Sequence, residues 1–183
     1  KDPEKLAESL RHTRKWIDAY ALLGAPVIRI FAGNKQSGED LAATTRRCAE
    51  TCEEACRYAA DRGVLLALEN HGGITATADG LLNIVKQVES KAFGINFDSG
   101  NFNSSDDPYA ELAAIAPYAI NAQLKVEISQ GGKKVPTNLR RVLEILSSSG
   151  YSGWVALEYE ASEEPLKAIP QWPGSDFNVD ELS

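Results

Sequence analysis

The sequence predicts an α/β fold built on a parallel β-sheet that is covered by helices. Five short apolar runs begin at about positions 27, 64, 93, 120 and 153, and each interval between them contains one helical pattern. Nearly continuous apolar strands that alternate with helices are typical of parallel sheets buried on both faces. Two architectures fit this alternation: an open doubly wound sheet and a closed (β/α)8 barrel.

Local signals give the expected bounds of these elements. Asp2 is a plausible N-cap for a first helix over 3–23, Pro3 suits its first position, and Gly24 can end it. Further helices are expected over 39–62, after Thr77, after Asp107 and from Thr137 to Gly150. The expected strands cover 27–31, 64–69, 93–98, 120–128 and 154–159.

Composition limits the classes of partner. The chain has 183 residues, a formal net charge of −7 and a pI of about 4.9. An acidic surface repels phosphate backbones, so nucleic acid and anionic membranes are poor partners. No apolar run approaches the roughly 20 residues that span a bilayer. We expect a cytoplasmic protein and leave open a signal peptide on a longer precursor, because the chain begins at Lys1 without a methionine.

The three cysteines are expected to serve packing. Cys48, Cys52 and Cys56 are four residues apart and so share one face of a helix. A disulfide within a regular helix is geometrically poor, and small apolar thiols pack well against a sheet.

Chemistry is indicated at the ends of four successive strands. Glu69, Asp98, Gln123 and Glu158 each close an apolar strand, and the carboxyl ends of parallel strands lie on the same side of a sheet. Each residue alone has an ordinary explanation. Glu69 could be a capping acid, Asp98 an Asx-turn residue, Gln123 a core amide and Glu158 a member of an ion pair. Together they predict one site, because carboxylate and amide oxygens suit a divalent cation such as Mg²⁺, Mn²⁺ or Co²⁺.

Four segments resemble one family in order and spacing. They are Leu68-Glu69-Asn70-His71-Gly72-Gly73, Asn96-Phe97-Asp98-Ser99-Gly100-Asn101, Gln123-Leu124-Lys125 and Ala156-Leu157-Glu158-Tyr159-Glu160. They resemble the xylose isomerase-like TIM-barrel superfamily, and within it the sugar phosphate isomerase/epimerase group.

The turn 32–38 matches neither the G-x-G-x-x-G nor the P-loop pattern, which weakens a nucleotide-binding interpretation.

The resemblance implies a TIM (β/α)8 barrel of which this chain carries about strands 4 to 8. Residues 1–170 would form the C-terminal part of the barrel domain, and residues 171–183 an acidic tail. Five parallel strands cannot close an eight-stranded barrel. We therefore expect the first three strands to come from a longer natural chain or from another chain, which leaves homo-oligomerisation open.

The resemblance also implies the roles of individual residues. Glu69, Asp98, Gln123 and Glu158 would hold a divalent ion (Mn²⁺, Mg²⁺, Co²⁺ or Zn²⁺), although many family members carry histidine where this chain has Gln123. Glu69 and Glu158 would be the acid/base pair. His71 is expected in the site as proton shuttle or substrate contact, with a loop histidine as the alternative.

Three further side chains, Lys125, Asn101 and Arg29, are expected to contact substrate. An interior Lys–Glu pair is an equal alternative for Lys125, and an interior ion pair is the same alternative for Arg29. His12 is expected on the surface. Packing in the core is the default expectation for Trp16, Trp154 and Trp172.

The leading functional hypothesis is a metal-dependent isomerase or epimerase acting on a small sugar-like molecule. A lyase of the 3-dehydroshikimate dehydratase type is the alternative on the same fold, because similar members also carry glutamine at the position of Gln123. A non-catalytic sugar-binding homologue is a further alternative, from a different functional class. An endonuclease of the endonuclease IV type is disfavoured, because it needs several histidines and the chain has two.

Overall fold

The computed structural model describes residues 3–171, which form one parallel five-stranded sheet with helices packed against it. The strands of this sheet are β1 (Val27–Ile30), β2 (Leu65–Glu69), β3 (Phe93–Asp98), β4 (Ala119–Lys125) and β7 (Val155–Glu158). The main helices are α1 (Pro3–Leu23), α2 (Leu41–Ala60), α3 (Ala78–Val85), α4 (Pro108–Ile115) and α5 (Leu139–Ser148). A short helix α6 (Pro165–Ala168) and 3-10 turns at Ala116–Tyr118 and Ile169–Gln171 complete the described chain.

The strand order decides between the two expected architectures. The order is β1-β2-β3-β4-β7, so every strand lies beside the previous strand of the same sheet. Each of α1 to α4 packs against the next helix, which places the helices along one side. A doubly wound sheet reverses its strand order at a switch point, and no reversal occurs among residues 3–171. The sheet is part of a TIM barrel.

The hydrophobic core lies between this sheet and the helices. One buried cluster joins α3, α4 and α5 to β3 and β4, with Phe97, Leu81, Leu112 and Val142 fully enclosed. A second joins α1 and α2 to β1 and β2 around Ile17. The helices and one set of alternating strand positions therefore account for most of the buried apolar surface.

The local signals for helix starts are confirmed at two helices and miss by one or two residues at two others. Thr77 and Asp107 cap α3 and α4 by accepting hydrogen bonds from backbone N–H groups. For α2 the cap is Asp40, so that helix begins two residues later than expected. For α5 the cap is Asn138 rather than Thr137. The expected cap Asp2 lies outside the described residues, as do residues 172–183 of the expected tail.

The fourth strand was expected to continue to residue 128, and this prediction is wrong. β4 ends at Lys125, and Glu127–Gln130 forms a separate strand, β5, that pairs antiparallel with β6 (Lys133–Pro136). Gly131 and Gly132 connect the two strands with φ angles of 57° and 74°. Two consecutive positive φ angles suit the two-residue turns that join hairpin strands.

The positions of the cysteines and of His12 agree with expectation, whereas those of two tryptophans do not. Cys52 and Cys56 are buried in the face of α2, Cys48 is half-buried, and all three thiols are free. His12 is exposed and accepts a hydrogen bond from Trp16. The expectation of core packing is wrong for Trp16 and Trp154, which are 52% and 91% exposed. Trp172 lies outside the described residues.

Candidate functional site

Polar side chains line the face of the sheet opposite the helices, called the inner face below. In a strand, alternate residues point to the same side, and residues in register on parallel neighbours do so too. Asn96 is in register with both Glu69 and Asn121, Asp98 with Gln123, and Lys125 with Glu158. The inner face therefore carries Arg29, Glu69, Asn96, Asp98, Asn121, Gln123, Lys125 and Glu158.

Two side-chain amides join the three acids of this face. Asn96 Nδ2 donates to Glu69 Oε2 at 2.6 Å and to Gln123 Oε1 at 2.9 Å. Gln123 Nε2 donates to Asp98 Oδ2 at 2.8 Å and to Glu158 Oε2 at 2.5 Å. Glu69, Asn96 and Asp98 are at most 1% exposed and Gln123 is 8% exposed. The four residues expected from the strand ends thus belong to one hydrogen-bond network.

Lys125 supplies positive charge at one end of this network. Its Nζ lies 2.6 Å from Glu160, 3.5 Å from Asp98 and 3.7 Å from Glu158, and its side chain is 7% exposed. It also donates to Asn101 Oδ1 at 3.0 Å. The expected alternative of an interior Lys–acid pair is therefore present, and it lies among the other site residues rather than apart from them.

Gly100 makes room for this lysine. A Cβ atom at Gly100 would lie 2.8 Å from Lys125 Cδ and 3.0 Å from the carbonyl oxygen of Glu127. The Gly100 N–H also donates to Asp98 Oδ1 at 2.8 Å. A residue without a side chain at this position lets the lysine stem pass close to the backbone.

Arg29 supplies positive charge at the other end. Its guanidinium lies 3.3 Å from Glu69 Oε2 and 3.8 Å from Glu158 Oε1. It also lies over the ring of Phe31, which makes an edge-type contact with the His71 ring at a centroid distance of 4.7 Å. Since His71 is exposed, it lies at the rim of the cluster rather than inside it.

Burial raises the proton affinity of the acids. Loss of hydration raises the pKa of Asp98 to about 7, against the lowering effects of the Gly100 N–H and Lys125. Burial likewise raises the pKa of Glu69, although Arg29 opposes the shift. Glu160 behaves oppositely, because the hydrogen bond from Lys125 lowers its pKa. Asp98 and Glu69 therefore bind a proton more readily than exposed acids do.

The donor set suits a hard cation by its chemistry, since three carboxylates and an amide oxygen are the ligands that Mg²⁺ and Mn²⁺ prefer. The arrangement differs from that of a formed metal site in two respects. Among residues 3–171, no three His, Cys, Asp or Glu side chains are grouped as a metal site. Gln123 Nε2, instead of its oxygen, faces Asp98 and Glu158.

The strand-end pattern missed three members of the network. Asn96 and Asn121 lie two residues before Asp98 and Gln123, so the period-2 alternation of each strand could have found them. Glu160 lies two residues after Glu158, just beyond the end of β7. Its pairing with Lys125 depends on the neighbouring strand and has no local signal.

Two cavities of about 260 and about 900 Å³ lie beside α2, and none of the inner-face residues lines them. No helix among residues 3–171 has the length and apolar character needed to cross a membrane.

Comparison with solved structures shows the same fold in sugar-related proteins. A xylose isomerase domain protein from Planctomyces limnophilus superposes with a TM-score of 0.73 and 19% identity, over 90% of this chain and 63% of that one. A D-tagatose 3-epimerase-like protein gives 0.72 and 22% identity, over 92% and 68%. A xylose isomerase-like TIM barrel protein from Mycobacterium smegmatis in complex with magnesium gives 0.68 and 20% identity, over 88% and 63%.

Sequence comparison agrees with the fold. An uncharacterized protein from Methanocaldococcus jannaschii is 28% identical over 134 residues, which are 64% of this chain and 44% of that protein. The chain thus spans less than half the length of this curated relative. The family model described as xylose isomerase-like TIM barrel matches residues 1–173. With its parallel partial barrel and this match over nearly all of its length, the chain belongs to the xylose isomerase-like TIM barrel family.

Proposed function

We propose that the protein is a divalent-metal-dependent isomerase or epimerase of carbohydrate metabolism, acting on a sugar or sugar-like keto/hydroxy substrate. Moving a proton beside a carbonyl needs a base, an acid and stabilisation of the negative charge that develops on oxygen. The sugar epimerases and isomerases among proteins of the same fold support this class of reaction.

One observation carries the proposal: three carboxylates from three different strands share one network of amides on the inner face. Glu69, Asp98 and Glu158 are separated by at least 29 positions in the chain, yet Asn96 and Gln123 connect them directly. Acids gathered around shared amides at a largely buried surface are costly unless a cation or a proton compensates them. A cation site explains why the sequence places them together.

Glu69 and Glu158 are proposed as the acid/base pair. Arg29 lies within 4 Å of both carboxylates, so it opposes the rise in the Glu69 pKa that burial causes and holds both side chains in place. His71 at the rim is the proposed proton shuttle. Lys125, Asn101 and Arg29 are proposed to contact the oxygens of the substrate.

The proposed cation ligands are Glu69, Asp98, Gln123 and Glu158. When bound, the cation supplies Lewis acidity for the negative charge that develops on a substrate oxygen. A related structure in complex with magnesium supports a divalent ion in this fold. We further propose that β1 corresponds to the fourth strand of the barrel and β7 to the eighth.

Solvent isotope exchange tests this function. The full-length protein is incubated in deuterium oxide with a panel of keto-sugars and inososes, with Mn²⁺ or with a chelator, and the recovered sugar is analysed by mass spectrometry. We expect deuterium at the carbon beside the carbonyl with Mn²⁺ only. Glu69→Gln and Glu158→Gln should each abolish the exchange, while Glu144→Gln, at an exposed position of α5, should keep it. Equal incorporation by all three variants would contradict the assignment.

A dehydratase is the second candidate, and Gln123 is the observation that favours it. By the resemblance, some lyases of the 3-dehydroshikimate dehydratase type are expected to carry glutamine at this strand end. Protocatechuate formed from 3-dehydroshikimate absorbs in the ultraviolet, so the same protein preparations distinguish the two activities. Its formation without deuterium exchange into any sugar would favour the lyase.

A further inference from the structure

The amide of Gln123 is held in one orientation by its neighbours. An amide has a donor end and an acceptor end, and the two are interchanged by a half turn about its last side-chain bond. Gln123 presents Nε2 to Asp98 and Glu158 and its oxygen to Asn96. Both ends are therefore used by buried partners.

Asn96 cannot turn to accommodate the opposite orientation of Gln123. Its Nδ2 donates to Glu69 Oε2, an oxygen that also lies 3.3 Å from the Arg29 guanidinium and therefore faces donors on both sides. Its Oδ1 accepts from Asn121 Nδ2 at 2.6 Å. Turning Asn96 would bring its oxygen against a carboxylate oxygen and its NH₂ against the NH₂ of Asn121.

All hydrogen bonds of this chain of amides point the same way. They run from Asn121 to Asn96, from Asn96 to Glu69 and Gln123, and from Gln123 to Asp98 and Glu158. Turning Gln123 alone would set its NH₂ against the NH₂ of Asn96, leaving buried donors without acceptors. Such groups cost more than an ordinary hydrogen bond contributes.

We infer that Asn96 is a positioning residue that holds Gln123 with its N–H groups toward Asp98 and Glu158 and so weakens binding of a divalent cation by these carboxylates. The N–H groups and a cation compete for the same two carboxylate oxygens. For Gln123 to ligate through oxygen, its amide must turn against Asn96. This inference rests on the proposed cation site and adds a residue that controls it.

The test measures the affinity for Mn²⁺ alone, by titration calorimetry and by the electron paramagnetic resonance signal of free Mn²⁺. Asn96→Ser leaves Gln123 free to turn without changing the charge, and it should bind Mn²⁺ about tenfold more tightly than the wild type. Asn83→Ser, an exposed position on α3, is the matched control and should bind as the wild type does.

The Gln123→Glu background distinguishes the effect of amide orientation from a general loosening of the site. A carboxylate has no donor end, so in Gln123→Glu the same Asn96→Ser change should alter the affinity less than about twofold. Asn96→Ala removes the same two amide contacts and should also bind more tightly than the wild type, which keeps the inference testable if Asn96→Ser does not fold.

The outcomes distinguish this inference from the proposed function. Binding by Asn96→Ser but not by the wild type supports the role of Asn96 and contradicts a cation site in the native protein. Equal affinities of wild type and Asn96→Ser, or an equal gain in the Gln123→Glu background, overturn the role of Asn96. Absence of binding in every variant overturns both.

Discussion

Lys125 should carry much of the stability of the inner face, and Lys125→Met tests this directly. The substitution keeps the length of the side chain and removes its charge. It leaves fully buried Asp98 without its nearest cation, because Lys125 Nζ lies 3.5 Å from Asp98 Oδ2. Glu158, at 3.7 Å from Nζ, loses the same partner.

The size of the effect follows from the exposure of each acid. Removing one partner of a buried ion pair costs about 3–5 kcal/mol, since an uncompensated buried charge remains. Glu160 contributes less than about 1 kcal/mol, because its side chain is 54% exposed and water screens the pair. Because burial raises the Asp98 pKa to about 7, its charge is fully present only at higher pH. We therefore expect a loss of about 3 kcal/mol in the free energy of unfolding at about pH 9, nearly all of it through Asp98 and Glu158.

Urea unfolding monitored by circular dichroism, with a chelator present, measures this loss. Lys133→Met, at an exposed position on β6, is the control and should change the free energy of unfolding by at most about 0.5 kcal/mol. In Asp98→Asn the added Lys125→Met change should cost clearly less than it does in the wild type, because the buried charge is already gone. Equal losses for Lys125→Met and Lys133→Met, or full additivity with Asp98→Asn, would refute this account of the network.

Three further results are expected. Gly100→Ala should lower the free energy of unfolding by about 1–3 kcal/mol, because the new methyl group meets the stem of Lys125; thermal unfolding that matches the wild type would contradict the close approach. Asp40→Ala removes the N-cap of α2 and should cost about 1 kcal/mol in urea, whereas no change would mean that water caps the helix equally well. The Glu160 pKa is lowered by Lys125, so this pair stabilises the fold above the unfolded-state pKa of about 4.3 and is lost as the pH falls through the folded-state pKa. Carboxyl NMR should show that pKa rising toward its usual value in Lys125→Met; an unchanged titration would exclude the contact in solution.

Much of the fold was predictable because it depends on local order along the chain. Alternating apolar strands and helices predicted the parallel sheet, and capping residues such as Thr77 and Asp107 predicted helix starts close to where they occur. The hairpin of β5 and β6 was missed although Gly131-Gly132 is a recognisable turn signal. A continuous apolar pattern through residue 128 outweighed it, since such a pattern does not show where a strand leaves its sheet.

The candidate site, like the fold, was predictable only in part. Strand ends alone brought Glu69, Asp98, Gln123 and Glu158 together in prediction, and the network of the inner face agrees with their proximity. The roles of these side chains as catalysts and ligands stay predictions. The contribution of Asn96 was not foreseen, because it arises from the register of β2, β3 and β4.

By itself, the sequence determined which side chains stand at the ends of parallel strands, because strand direction and alternation follow from apolar periodicity along the chain. Only the tertiary structure decided which atom of each side chain faces which neighbour. The orientation of the Gln123 amide and the charges beside Asp98 depend on contacts between residues far apart in the chain. Hydrogen bonds and ion pairs are directional and short in range, so their polarity is fixed only when the strands are in register.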